Sequence, residues 1–244
     1  MIDTLIPFQL FASFTILALA FFIRGIAGFG SGLIAIPLLS LMMPLTVIVP
    51  MMVLLDYIVS LNQGVKNREQ ILWKEILPLI PFSMAGVVVA LLFLSMSDAL
   101  LLGKALGIFI IVFALYTLSG FTPGTVVSRH WGGLAGLSGG MIGTLFGTGG
   151  PLYVTYFKAR GLDKAVFRTT LAVTFVLDGA GMIIGFGSAG YLNRELLVLI
   201  LVSLPVMLVF VYIGGHVHTR ITQVQFQKAI SVLLILSGTV LLLK

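Results

Sequence analysis

The sequence predicts an all-α polytopic membrane protein built from two inverted repeats, each a glycine-broken helical hairpin followed by three transmembrane helices. Three observations lead to this fold class: the composition, a set of matched positions in the two halves, and the distribution of basic residues among the loops. The 244 residues are 59% hydrophobic and only 9% charged, and the mean hydropathy is +1.18. Soluble globular domains carry about 25% charged residues. This composition therefore excludes a soluble globular domain.

The net charge of +6 comes from basic residues in short loops between apolar runs. Lys and Arg at such places set the orientation of a membrane protein. We therefore expect the lipid bilayer, and no nucleic acid, as a partner. The chain has no cysteine, which excludes a disulfide framework, a thiolate metal site and a Cys nucleophile. The first 23 residues hold Asp3 and no Lys or Arg, so we expect no cleavable signal.

Membrane-crossing helices need about 20 apolar residues each. Ordinary spans are predicted near 44–63, 75–96, 99–119, 165–187, 195–216 and 224–243. Pro81 and Pro205 lie deep enough in their spans to kink them. Two segments do not fit this pattern, one from Phe8 to Met43 and the other from Trp131 to Phe157.

Both irregular segments contain a glycine run. The first is Gly28-Phe29-Gly30-Ser31-Gly32 and the second is Gly147-Thr148-Gly149-Gly150-Pro151. Glycine destabilises a helix interior by about 1 kcal/mol relative to Ala, so such a run predicts a break. A break inside a membrane exposes backbone polar groups that lipid cannot satisfy. We interpret the two runs as the two halves of a binding site.

The two halves of the chain match at several positions in the same order. Gly28, Gly30 and Leu33 correspond to Gly147, Gly149 and Leu152 at an offset of 119. Three further pairs follow at offsets of 122, 120 and 124: Leu55-Asp56 with Leu177-Asp178, Lys74-Glu75 with Arg194-Glu195, and Lys104-Ala105 with Lys228-Ala229. The matches predict a first repeat over 1–122 and a second over 123–244, within one integral membrane domain.

Basic residues indicate that the repeats are inverted. Loop 63–75 has three basic residues where its repeat partner near 187–195 has one, and uncharged segment 42–46 corresponds to a segment with four. The positive-inside rule then places equivalent loops on opposite sides of the membrane. The loops predicted to be cytoplasmic are 63–75, 120–130, 158–164 and 216–224, with both termini outside.

The second glycine segment has basic residues at both ends, Arg129 and His130 before it and Lys158, Arg160 and Lys164 after it. Its two pieces, of about 16 and 10 residues, would be about 24 and 15 Å long as helices. Neither crosses a hydrocarbon core of about 30 Å. A re-entrant hairpin with its tip near the midplane is predicted. One long kinked helix per repeat, giving eight spans, is the alternative.

Helix N-termini bind anions because their first N–H groups are unpaired and the positive end of the dipole lies there. Pro151 suits a first helical turn, and Ser31 and Thr148 add hydroxyl donors. We therefore expect both runs to contribute to an oxyanion site. The alternative is that the glycines only allow helices to pack closely.

Three ionisable residues lie in apolar stretches, where charge is costly. Arg24 is a candidate anion ligand, with a structural pair to Asp56 or Asp178 and a position at the membrane interface as alternatives. Asp56 and Asp178 occupy equivalent positions and are candidates for proton coupling, with interhelical hydrogen bonding as the alternative. The sequence assigns no role to Tyr153 or Tyr156.

The repeated glycine element, the Asp-bearing helix and the short basic loop resemble the TauE/SafE family of sulfite exporters and toluenesulfonate uptake permeases. The resemblance covers nearly the whole chain and implies a multi-pass bacterial inner-membrane transporter of sulfite, organosulfonates or carboxylated anions. Ser31 and Pro151 stand where a third glycine is frequent in that family, and Tyr156 stands where the first repeat has Pro37. These departures concern the identity of the substrate.

The sequence thus predicts a secondary transporter of small oxyanions, and its more specific hypothesis is that transport is coupled to protons. A passive anion channel or facilitator would use the same residues, and a membrane-embedded enzyme is the alternative from another class. We expect no catalytic residues, no cofactor and no metal site, because His216 and His218 point to different faces of a helix. A homodimer is compatible with the sequence.

Overall fold

The computed structural model describes residues 7–66, 68–120, 127–217 and 223–243. Within these ranges the chain forms eleven α-helices, one short 3-10 helix at Arg68–Gln70 and no β-strand. The expected all-α class is confirmed. The predicted boundary between the repeats, at 122/123, lies outside the described residues, as does His218.

The helices follow the predicted order of segments. Their bounds are α1 (Pro7–Ala27), α2 (Ser31–Leu39), α3 (Leu45–Lys66), α4 (Trp73–Ile76), α5 (Ile80–Met96), α6 (Ala99–Leu118), α7 (Trp131–Phe146), α8 (Gly150–Ala159), α9 (Lys164–Ser188), α10 (Arg194–His216) and α11 (Gln223–Leu243).

Five stretches of the described residues are long and apolar enough to cross a membrane, judged by length and composition. They are Gln9–Ala27, Leu45–Gly64, Ala99–Leu118, Ala165–Ser188 and Arg194–His216, and the apolar helices Ile80–Met96 and Ile230–Leu243 are shorter. The expectation of several membrane-crossing helices is therefore confirmed.

The span predicted near 75–96 is divided, because α4 ends at Ile76 and α5 begins at Ile80. Pro78 lies in the turn between them. The prediction that Pro81 lies deep in a helix and kinks it was wrong. Pro81 is in the first turn of α5, where its missing N–H costs no hydrogen bond. Pro205 lies inside α10, as expected.

Both glycine segments consist of two helices rather than one. Gly28 and Gly147 follow the ends of α1 and α7 with φ of 86° and 60°, a left-handed conformation that glycine adopts without strain. Their N–H groups donate to the carbonyl oxygens of Arg24 and Gly143, each at 2.7 Å. The two caps match at the offset of 119, and they have the form expected where a helix ends on glycine.

The helices form two compact units, and each unit combines helices from both halves of the chain. The first contains α1, α2, the first turn of α3, α6, α10 and α11; in it α1 packs on α10 and α6 packs on α11. The second contains the rest of α3 with α4, α5, α7, α8 and α9; in it α7 packs on α5, and α9 contacts α5 and α8.

Glycine allows close approach in the α1–α10 and α5–α7 helix pairs. A Cβ atom on Gly25 of α1 would lie 2.8 Å from the backbone nitrogen of Gly215 in α10. A Cβ atom on Gly86 of α5 would lie at the same distance from the nitrogen of Met141 in α7. Membrane helices commonly pack through such small residues, so packing accounts for these glycines.

The helices α7 and α8 fold back on each other, and we call this pair the α7–α8 hairpin. At its open end the N–H of Val127 donates to the carbonyl oxygen of Ala159 at 3.1 Å. Closer to the break, a Cβ atom on Gly143 would lie 3.6 Å from the Cα atom of Gly149. Contacts at both ends make the two helices antiparallel.

Candidate functional site

The first glycine break brings a buried cation to a helix N-terminus. Arg24 lies in the last turn of α1 and is 3% exposed. Its Nη1 donates to the Oγ of Ser31, the first residue of α2, at 3.2 Å. The guanidinium, a hydroxyl and the positive end of the α2 dipole therefore lie together. The Arg24 side chain is thus enclosed by the protein rather than exposed at its surface.

The glycines of this first break serve the backbone conformation. Gly30 immediately precedes α2 with φ of 99°, and a Cβ atom there would meet nothing within 4 Å. Close packing therefore does not explain Gly30, whereas its left-handed conformation does. Gly32 is buried within the first turn of α2.

The second break presents a buried hydroxyl group at the start of α8. Thr148 is 2% exposed, and within the described part of the chain its Oγ1 makes no hydrogen bond. Leaving a buried hydroxyl unpaired costs about 1–3 kcal/mol, and most such groups in folded proteins have a partner. Pro151 is buried in the first turn of the same helix. The hydroxyl thus offers a donor for a polar ligand.

The two glycines that follow Thr148 are in different situations. A Cβ atom on Gly149 would collide with the carbonyl oxygen of Gly139 across the α7–α8 hairpin, so close packing explains Gly149. A Cβ atom on Gly150 would lie 3.2 Å from the ring of Phe175, a side chain that can move. The packing alternative therefore holds at Gly149 and is weak at Gly150.

Asp178 is at the centre of a buried polar network. It is 2% exposed in α9. The Oγ of Ser83 on α5 donates to its Oδ1, and the hydroxyl of Tyr153 on α8 donates to its Oδ2 at 2.8 Å. The Tyr153 hydroxyl also lies 3.3 Å from the Ser83 Oγ. The candidate Asp56, which the sequence comparison of the two halves matches to Asp178, is only half-buried on α3.

Sequence reasoning missed Ser83 and Tyr153. Serine and tyrosine are ordinary in membrane helices, where their hydroxyls bond across helix interfaces. The available signal was the position of Tyr153, one turn beyond Gly149 on the short helix α8.

A second buried carboxylate connects both ends of the α7–α8 hairpin. Glu75 of α4 is 3% exposed. Its carboxylate accepts bonds from Arg129 at 2.9 Å, from Arg160 at 2.8 and 2.9 Å, and from Tyr156 at 3.0 Å. Arg129 lies two residues before α7 and Arg160 directly follows α8. We call these four residues the Glu75 cluster.

The electrostatics of the Glu75 cluster favour the ionised carboxylate. Burial by itself would raise the pKa of Glu75, but the hydrogen bonds from Arg160, Arg129 and Tyr156 outweigh burial and lower this pKa to about 2. Hydrogen bonds and cations favour the charged form of a carboxyl group. Arg160 also donates to the carbonyl oxygen of Val127, which adds a backbone contact to the same end of the hairpin.

Comparison with known proteins gives a consistent result. Over 192 residues the chain is 27% identical to a protein of Comamonas testosteroni described as a probable inner membrane transporter protein TsaS, covering 77% of this chain and 80% of that protein. No solved structure matches the chain. The model of the family described as sulfite exporter TauE/SafE matches residues 13–241. The chain therefore belongs to the sulfite exporter TauE/SafE family, as its glycine elements suggest.

Proposed function

We propose that the protein is a secondary transporter of small oxyanions in the bacterial inner membrane, with sulfite, organosulfonates and related carboxylated anions as its substrate class. The family and the relative's description as an inner membrane transporter support transport rather than catalysis. The observation that carries the proposal is the buried Arg24 guanidinium bonded to Ser31 at the N-terminus of α2.

The Arg24 guanidinium and the N-terminus of α2 share one sign of charge. The guanidinium is cationic at all physiological pH values, and the α2 N-terminus carries a partial positive charge. An anion that binds there is stabilised by both the guanidinium and the helix N-terminus. In the second repeat the buried Thr148 hydroxyl at the start of α8 offers a further donor. Each glycine break is thus an anion-binding element, with Gly28 and Gly147 ending one helix so that the next N-terminus is free.

A re-entrant hairpin and inverted repeats form part of the proposal. Arg129 and Arg160, at the two ends of the α7–α8 hairpin, bind the same carboxylate, which is the geometry of a segment that enters and returns. The helix pairing is also reciprocal, since α1 packs on α10 and α7 packs on α5. The first helix of each repeat thereby contacts the same element of the other, as two-fold related repeats require.

We further propose that transport is coupled to protons, with Asp178 and its repeat partner Asp56 as the coupling residues. A carboxylate buried within a membrane-spanning helix is rare and marks proton or ion pathways. Protonation that accompanies anion binding reduces the charge moved across the bilayer. A passive facilitator would lack this link, and it would not concentrate substrate against its gradient.

The test is counterflow into proteoliposomes with sulfite, methanesulfonate and a small carboxylate, comparing Thr148→Val with Thr144→Val. Valine keeps the shape of threonine and removes the hydroxyl. Thr144 is the matched control because it is also buried and its Oγ1 already donates to the Gly140 carbonyl at 2.8 Å. Loss of one hydrogen bond to an anion should raise the half-saturating concentration about tenfold in Thr148→Val alone.

The unfolding temperature separates binding from folding. Removing an unpaired buried hydroxyl should leave the unfolding temperature of Thr148→Val unchanged or higher, although its transport is weaker. Equal half-saturation in the wild type and Thr148→Val would remove the α8 terminus from the site. Absence of counterflow for all three anions would contradict the proposed substrate class.

A further inference from the structure

We infer that Tyr153 is a positioning residue that links the protonation state of Asp178 to the position of α8, the helix whose N-terminus is proposed to bind the anion. This inference rests on the proposed function. Tyr153 lies on α8 one turn after Gly149, and its hydroxyl is 2.8 Å from Asp178 Oδ2. It provides a direct contact between the buried carboxylate and the candidate binding element.

The surroundings of Tyr153 leave its ring little freedom to move independently of the helix. The side chain is fully buried. A Cβ atom on Gly139 of α7 would lie 2.5 Å from its Cζ atom, so the ring lies directly on the α7 backbone. The ring centroid is also 6.1 Å from that of Phe175 on α9. A side chain so enclosed transmits a change in its hydroxyl contact to its own backbone, because protein interiors are close-packed.

The hydrogen bond between Tyr153 and Asp178 depends on the protonation state of the Asp178 carboxyl group. The ionised carboxylate is acceptor-only and accepts from both Ser83 and Tyr153. The protonated carboxyl group gains one donor and cannot accept in the same way from both hydroxyls. Protonation also removes the negative charge, so the bond from the Tyr153 hydroxyl to Oδ2 is no longer charge-assisted, and charge-assisted hydrogen bonds are about twice as strong as neutral ones. Protonation therefore weakens the connection of α8 to α9, and deprotonation restores it.

Few other charged groups face Asp178 from the helices packed around it. The segments Ile80–Met96 and Trp131–Phe146 contain no charged residue. On α8, Tyr156 bonds to Glu75 and Lys158 is exposed. On α3, Tyr57 would lie 3.2 Å from a Cβ atom on Gly179, next to Asp178, and Asp56 precedes it.

On α9 itself the cations Lys164 and Arg168 lie ten or more positions before Asp178, which is about 15 Å or more along a helix. Of all these groups, Tyr153 is the titratable one that bonds to the Asp178 carboxylate.

The experiment compares Tyr153→Phe, Ser83→Ala and the control Tyr212→Phe. Tyr212 undergoes the same chemical change, but it is 68% exposed on α10. The substrate is methanesulfonate, which stays anionic throughout the pH range, so that any pH dependence belongs to the protein. Half-saturation is measured by counterflow as a function of pH. The Asp178 carboxyl group is followed in the purified protein by its infrared band, assigned by the loss of that band in Asp178→Asn.

Removing the Tyr153 hydroxyl takes a donor from the ionised carboxylate, which favours protonation. We expect the infrared midpoint of Tyr153→Phe to move to higher pH by about 1 unit, and the pH dependence of half-saturation to flatten. Ser83→Ala should also move the infrared midpoint upward, but it should keep the pH dependence of half-saturation because α5 does not carry the binding terminus. Tyr212→Phe should match the wild type in both measurements.

Different outcomes separate this inference from the proposed function. If methanesulfonate counterflow persists and Tyr153→Phe matches the wild type in both measurements, the positioning role is wrong and the transport proposal stands. If no counterflow occurs in the wild type, the proposed substrate class is wrong, and the infrared midpoint still decides whether Tyr153 governs Asp178. A flattened profile in Ser83→Ala equal to that in Tyr153→Phe would also overturn the specific link to α8.

Discussion

Individual carboxylates in this protein have different partners, and the partners set their chemistry. Asp178 is bonded to two neutral hydroxyls, Ser83 and Tyr153. Glu75 is bonded to two guanidinium groups and a phenol. Cations compensate the burial of Glu75 and keep it ionised, whereas neutral donors compensate the charge of Asp178 only in part. The first arrangement suits a structural anchor and the second suits a group that changes its charge.

The anchor predicts a pH-dependent loss of stability. The folded-state pKa of Glu75 is about 2, below its ordinary value of 4.5, so its contribution is fully present above 4.5 and is lost as the pH falls towards 2. Glu75→Gln should lower the free energy of unfolding at pH 7 by about 2 kcal/mol, a value reduced because Arg129 is half-exposed. Thermal unfolding in detergent between pH 7 and pH 3 measures this.

The wild type and Glu75→Gln should converge as the pH falls. Glu69→Gln is the matched control, since Glu69 is exposed in the 3-10 helix, and it should match the wild type at every pH. A difference between Glu75→Gln and the wild type that stays constant down to pH 3 would show that shape, rather than charge, explains the stabilisation.

At the scale of single helices, the two that follow the glycine breaks are short. Helices α2 and α8 have 9 and 10 residues, too few to cross a hydrocarbon core of about 30 Å. Each begins directly after glycines that end the preceding helix. The antiparallel α7–α8 hairpin has its two open ends at the Glu75 cluster, where Val127 also bonds to Ala159.

The hairpin predicts that its two ends lie on the same side of the membrane. His130 and Lys158 are exposed near these ends and take no part in the Glu75 cluster. The chain has no native cysteine, so His130→Cys and Lys158→Cys each give a single labelling site. A membrane-impermeant maleimide should label both from the cytoplasmic side of oriented vesicles. Labelling from opposite sides would mean that the segment crosses the bilayer.

For the molecule as a whole, the main helix contacts join helices from the two halves of the chain. Each compact unit draws helices from both halves of the chain, and the pairs α1–α10 and α7–α5 both approach closely through glycine. Neither half could bury its own first helix in this way alone. We therefore expect that the two halves fold only together.

Inverted repeats predict opposite labelling of equivalent loops. Lys74, at the start of α4, is matched to Arg194 at the start of α10, and Asn193 directly precedes Arg194; Lys74 and Asn193 are both exposed. The positive-inside rule puts Lys74 in the cytoplasm and Asn193 outside. Lys74→Cys should react with an impermeant maleimide only from the cytoplasmic side, and Asn193→Cys only from the outer side. Reaction of both from one side would contradict the inversion and favour parallel repeats.

The all-α class, the approximate bounds of the long helices and the two breaks were predictable from the sequence alone. These features are local. Apolar runs of about 20 residues predict helices that cross a membrane, and a run of glycines within such a segment predicts a break. In the structure Gly28 and Gly147 end their helices at these runs, with φ of 86° and 60°. Local sequence places Arg24 one turn before Gly28 in an apolar stretch but leaves its burial open, and the structure shows the side chain to be buried. The start of α5 at Ile80 was not predicted. Proline occurs both in the first turn of a helix and at a kink within one, and the sequence does not separate these two positions for Pro81.

Which polar groups meet depends on how the helices pack against each other. Asp178 bonds to residues 95 and 25 positions away, and Glu75 bonds to Arg160 at a separation of 85. The tertiary structure likewise separates the glycines that allow close packing, such as Gly149, from those that adopt a left-handed backbone conformation, such as Gly30. No period or spacing in one sequence encodes such distant partners, because they are fixed by helices that pack side by side after the chain has folded.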